Sequence, residues 1–206
     1  MKILLAACAL LVFAVTNLAA QDAPRRLRAQ IDSVDGQVVG LTTREGEKIK
    51  LALSPAATVT ALVNTLIEAI KPNSYIGTAA MPQPDGTLVA LEVHVFMESM
   101  RGAGEGHRPW DGGASGATGG TMTNATVNTV MASKADARGR MLTLRYPGGD
   151  KQVLVPAGVP VVAFEPGERA LLKPGNHVLV LATKGADGSY SADRITVGRD
   201  GLVPPM

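Results

Sequence analysis

Short runs of alternating apolar and polar residues fill the chain from residue 27 onward, each closed by a Gly- or Pro-containing turn. Leu27, Ala29, Ile31 and Val34 trace a first strand, and Asp35-Gly36 turns the chain into Val38 to Thr43. Glu45-Gly46 turns it again into Lys48 to Leu53, where Ile49, Leu51 and Leu53 alternate with Lys48, Lys50 and Ala52. A β-rich stretch follows from Thr58 to Val63. Thr65-x-x-Glu68 has the capping-box spacing, which predicts one or two helical turns with Leu66, Ile67 and Ile70 on the apolar side and Pro72 as the stop. Tyr75 to Met81 and Leu88 to Phe96 then read as a hairpin around Asp85-Gly86. On its last strand the alternation places Leu91, Val93 and Val95 inward. It places Glu92, His94 and Phe96 outward, with Glu92 and His94 as a solvated surface pair.

The pattern recurs. IKPNSYIGTAAMPQPDGTLVALEVHV (70–95) aligns with LKPGNHVLVLATKGADGSYSADRITV (172–197) at a constant offset of 102, and 36–51 faces 139–154 with about one residue of slippage. This reads as an internal duplication. Strand-strand-strand-short helix-strand-strand is the order of an OB-like barrel, which limits exposed edges by closure. The expected fold is therefore all-β: two tandem OB-like small β-barrels, each with one short helix, after a signal peptide. The boundaries read as signal peptide 1–20, first barrel 25–97, Gly-rich linker with a Trp anchor 98–124, second barrel 125–199 and C-terminal tail 200–206. Within the repeat, His177 stands where the first copy has Tyr75, Arg194 and Thr196 replace Glu92 and His94, and Phe164 aligns with Leu62 as core.

The first twenty residues change the picture of where the chain works. Lys2, the apolar run Ile3 to Val15 and the small residues Ala19 and Ala20 make a secretory signal, which points to the periplasm. Cys8 is the only cysteine, so the mature chain is expected to have no disulfide, thiol nucleophile or thiolate metal site. Removing Lys2 from the twenty basic residues leaves nineteen against eighteen acidic ones. That balance gives no footprint for nucleic acid, and no second long apolar run predicts an integral membrane segment.

Eight glycines fall between residues 102 and 120, a composition that predicts flexible linker. Inside it sits GEGHRPWDGG (104–113), with the single tryptophan. His107, Arg108, Trp110 and Asp111 form either a ligand-recognition group, with Trp110 as stacking platform and Arg108 as anion clamp, or an anchor that buries the ring and pins the linker. Glu105, His107 and Asp111 are the candidate metal ligands, at a spacing that fits no zinc pattern. GAGEG lacks the strand, helix and lysine of a phosphate loop. No serine has a His partner in a recognisable frame, so no catalytic residues and no cofactor are expected.

The strings GEGHRPWD, TMTNATV (121–127) and GRDGLVPPM together resemble a group of small exported proteins of Gram-negative bacteria, chiefly alphaproteobacteria. That group is of unknown function and often carries the label metal ABC transporter permease. A permease needs several spanning helices, so the resemblance implies at most a soluble accessory part, and it supplies no catalytic residues. The insert ASGATGG after Trp110-Asp111 departs from the shorter spacer expected there. The residues therefore predict a non-enzymatic periplasmic binding or interaction module for a small ligand or a periplasmic protein. The alternative is a soluble accessory of metal handling or metal transport.

Overall fold

The computed structural model describes residues 24–110, 119–132 and 139–205. The expected signal segment and Asp111 lie outside them. The described chain is almost wholly β. Its strands are β1 (Arg25–Asp35), β2 (Val38–Thr43), β3 (Lys48–Asn64), β4 (Tyr75–Pro82), β5 (Leu88–Val95), β6 (Gly106–Pro109), β7 (Thr121–Ala132), β8 (Arg140–Tyr146), β9 (Gly149–Val155), β10 (Val161–Pro166), β11 (His177–Lys184) and β12 (Tyr190–Gly198). Among the described residues, no helix is long and apolar enough to cross a membrane.

The strands close two rings. One runs β1-β2-β3-β12-β11 and returns to β1; the other runs β7-β8-β9-β5-β4 and returns to β7. Each follows the order first-second-third-fifth-fourth, an OB-like closure. The first, barrel A, is sealed by eight parallel pairs from Tyr190↔Leu51 to Gly198↔Leu62. The second, barrel B, is sealed by two, Leu88↔Val153 and Val89↔Leu154.

Neither ring is one contiguous half of the chain, which corrects the boundaries 25–97 and 125–199. Barrel A takes its first three strands from the first copy and its closing hairpin from the second; barrel B does the reverse. The cores say the same. Leu27, Leu41 and Leu51 pack with Val180, Tyr190 and Ile195 in one, and Ile76, Leu88 and Val93 pack with Leu142, Leu144 and Val153 in the other. Each ring thus joins three strands of one segment to the hairpin of the other, an arrangement that resembles the exchange between chains of domain-swapped dimers. The ladder is also continuous, because β10 lies between β3 and β5 and joins both rings into a single sheet.

The exchange is centred on one pair. β10 runs antiparallel to the end of β3, from Val162↔Asn64 through Phe164↔Leu62 to Pro166↔Thr60. Replacing each residue by its counterpart 102 positions away turns the first of these pairs into the last and leaves Phe164↔Leu62 unchanged. A pseudo-two-fold axis therefore passes through that pair. Matching hydrogen bonds flank it, Thr65 N–H to Val161 O at 2.9 Å and Gly167 N–H to Val59 O at 3.2 Å. Leu62, Val162 and Phe164 are buried there under Phe96, Met97, Met100 and Leu202.

Three local expectations change. Lys48 to Leu53 and Thr58 to Val63 are one strand of 17 residues, β3, which closes barrel A with its first part and reaches the axis with its last. The expected helix is a 3₁₀ turn, Ile67–Ala69, matched by Arg169–Leu171. Leu66 caps it without a side-chain hydrogen bond. Glu68 instead accepts a 2.6 Å bond from Arg140, so the capping box does not form. The described parts of 98–124 are not free linker: β6 pairs antiparallel with β7, Gly106↔Asn124 to Pro109↔Thr121. Backbone pairing to a ready strand edge overrides what composition alone predicts.

Candidate functional site

The last strand of the first copy does not alternate as its sequence suggests. Ala79 pairs with Glu92 and Ala80 with Ala90, so Leu91 is the extra residue of a bulge. Ala90 and Val93 face the barrel core, while Leu91 is pushed outside against Trp110. Glu92 and His94 are on the outer face as expected, yet both are buried, His94 at 0 % exposure. They are not a solvated pair, because the outer face of β5 is also the approach to the pseudo-two-fold junction. His94 Nε2 is 3.9 Å from Glu92 Oε1, and the ring meets Phe164 edge-on at 6.1 Å. Burial, then the Arg26 charge, pushes the His94 imidazole down to about 3, so it is neutral across the physiological range.

Trp110 is 8 % exposed and packs on Ala79, Met122 and Leu91 outside barrel B. Its backbone N–H donates to Gly120 O at 3.0 Å, which ties the two ends of the glycine-rich segment. A covered ring is the geometry an anchor requires and leaves no open face for stacking. His107 sits one strand residue away from Arg108. Its Nδ1 shares a 2.8 Å hydrogen bond with Thr123 Oγ1, and its ring stacks on Tyr146 at 6.4 Å. Burial, then Lys151, lowers its pKa. Arg108 Nη1 donates to Gly104 O at 2.8 Å, and burial, then Arg26, lowers its pKa. Glu105 is exposed. Asp111 lies outside the described residues, so the expected trio of metal ligands is not placed together. Among the described residues no three His, Cys, Asp or Glu side chains gather as a metal group.

Arg101, which sequence reasoning passed over, organises this face. Its guanidinium donates to Glu98 Oε1 and Oε2 at 2.6 and 2.7 Å, to Asn73 O at 2.8 Å and to Thr126 Oγ1 at 3.2 Å. It also lies over the Tyr75 ring, 5.8 Å from the centroid. Tyr75 Oη and Asn124 Nδ2 both donate to Ala103 O, at 3.2 and 3.0 Å. Burial, then the Glu105 carboxylate, raises the Tyr75 pKa. Around Tyr75 the outer face of barrel B is thus covered by its own chain, from residue 97 to 110, while a concavity of about 250 Å³ remains beside Pro72, Asn73, Thr126 and Arg145.

The matching face of barrel A is open. His177 pairs with Gln30 where Tyr75 pairs with Thr126. A concavity of about 240 Å³ lies there, bordered by Arg28, Gln30, Thr42 and Arg44, with His177 beside Val203 and Pro204. The stretch expected as a loose tail helps to shape it: Leu202 packs at the axis and Pro204 is buried. The sequence carried one signal for this place, the substitution of a histidine at the position of Tyr75. No family model matches the chain, and neither a curated protein nor a solved structure shows significant similarity to it.

Proposed function

We propose that this chain is a non-enzymatic, exported binding module that takes a small ligand on the outer face of barrel A. The recurrence of elements at an offset of 102 supports descent from a duplicated single-barrel unit, in which one copy has kept its face open and the other has covered its own. The observation that carries the reading is the open concavity beside His177, set against the filled counterpart beside Tyr75. Concave, mostly apolar sites with a few convergent polar groups are where small molecules bind. The signal-like first twenty residues and the resemblance to exported proteins favour the periplasm as its place of work.

Native mass spectrometry of the protein purified from its own periplasm tests this. The expected result is a small-molecule adduct that is lost in Val203→Trp, where the larger ring fills the concavity, with circular dichroism unchanged. A bare mass for the wild-type protein overturns the reading.

A further inference from the structure

Resting on that reading, we infer that the concavity of barrel A is a site for a small organic carboxylate. The pseudo-two-fold axis lets the molecule serve as its own reference. In barrel B the niche beside Tyr75 holds a guanidinium, that of Arg101, bound by Thr126 Oγ1 and Asn73 O and laid over the ring. The counterparts of those partners are Gln30, Gly175 and His177, and the counterpart of Arg101 is Val203. Met100 and Leu202, the residues just before, both pack at the axis, so the two segments leave their barrels alike.

Barrel A changes the niche in two ways. Gln30 Nε2 donates to Gly175 O at 3.0 Å, so the acceptor that holds a cation in barrel B is already taken. No guanidinium occupies the centre, and Arg28 and Arg44 line the concavity with His177. Among the described residues Arg44 makes a long contact to Glu45, 3.9 Å, with both side chains largely exposed. In barrel B the bordering cation, Arg145, is held by Asp150 at 3.0 Å. A niche that has lost its internal cation and is bordered by Arg28 and Arg44 is matched by an anion. Val203 and Pro204 give that anion an apolar edge. About 240 Å³ exceeds the roughly 150 Å³ that holds benzene. The ligand is therefore a carboxylate on a compact apolar body about the size of one ring.

Sodium benzoate is the probe and benzyl alcohol its neutral counterpart, each titrated into the ¹⁵N-labelled protein. Benzoate is expected to shift the amides of Gln30, Arg44 and Val178 saturably and to bind at least about tenfold more tightly than the alcohol. Arg44→Gln is expected to weaken benzoate about tenfold and to leave benzyl alcohol and the melting temperature unchanged. Equal binding of the two probes overturns the carboxylate assignment while leaving the binding face in place. Benzoate shifts confined to other residues, or none, overturn it as well; the binding reading itself falls only if the periplasmic protein also carries no adduct.

Discussion

Tyr75 and His177 stand at equivalent points of two barrels with the same strand order, and their surroundings diverge completely. Around Tyr75, residues 97 to 110 return across the sheet, bringing Arg101 onto the ring, Ala103 O to its hydroxyl and Trp110 onto the outer wall. Around His177, the segment after β12 supplies Val203 and Pro204 and leaves a concavity. The same scaffold thus supports a closed face and an open one. The difference lies in side chains that do not enter either core: Gly77 makes room for Phe96 and Asn124, whose nearest atoms already sit 2.9 and 2.7 Å from where a Cβ would be, whereas its counterpart is Leu179. Such outer positions can change while the cores stay intact.

The strongest way to break this comparison is to cut between the copies. With a protease site replacing residues 111–118, the hairpin exchange predicts that both fragments stay together on gel filtration after cleavage and unfold in one transition. Separation into two folded halves would mean that each barrel closes on its own hairpin.

Phe164→Ala comes next, because its ring lies at the axis, stacked on Phe96 at 5.0 Å, and serves both barrels. A loss of about 3–5 kcal/mol is expected in urea unfolding, with the transition still single. An effect limited to one barrel would place the axis elsewhere.

His94 sharpens the comparison through pH. Its folded pKa is depressed to about 3. The unfolded chain therefore binds the proton first, and the contribution is complete above the ordinary histidine value near 6.5 and lost as pH falls toward 3. The expected loss over that window is on the order of a few kcal/mol, and His94→Leu should remove that slope in a comparison of denaturation midpoints. The counterpart, Thr196, has no such titration.

Trp110→Ala should cost about 2–3 kcal/mol and expose the 106–109 strand to proteolysis, while benzoate binding at barrel A stays as in the wild type. An unchanged melting curve would remove the anchor. The smallest effect is expected from Glu98→Gln. Its carboxylate is largely exposed, so releasing Arg101 from it should show only as a slight drop in melting temperature.

The legible parts of this molecule were those written in short spans. Leu27, Ala29 and Ile31 alternate and are buried in turn, Asp85-Gly86 turns β4 into β5, and the offset of 102 marks matched elements. Trp110 stood out as the one bulky aromatic among glycines. His94 was misread because the strand pattern gives the face of a side chain and not what covers that face. Leu91 was misread because a bulge leaves no mark in the apolar-polar alternation. Arg101 lies in no motif and Val203 entered only as one letter of GRDGLVPPM; their equivalence about the axis gives them meaning.

By itself the sequence determined an all-β chain, its strands, its local hairpins and its twofold recurrence, because each of these rests on the alternation of side chains and on turn residues a few positions apart. Which first three strands a hairpin completes was decided only by the tertiary structure. The two copies present nearly the same apolar face to either hairpin, so local pattern cannot separate closure within a copy from exchange between copies. The long β3, running past barrel A to pair with β10 across Leu62 and Phe164, carries the chain over to the other barrel, and that path selects the exchanged form. The same crossing buries His94, and it sets one face closed beside another left open.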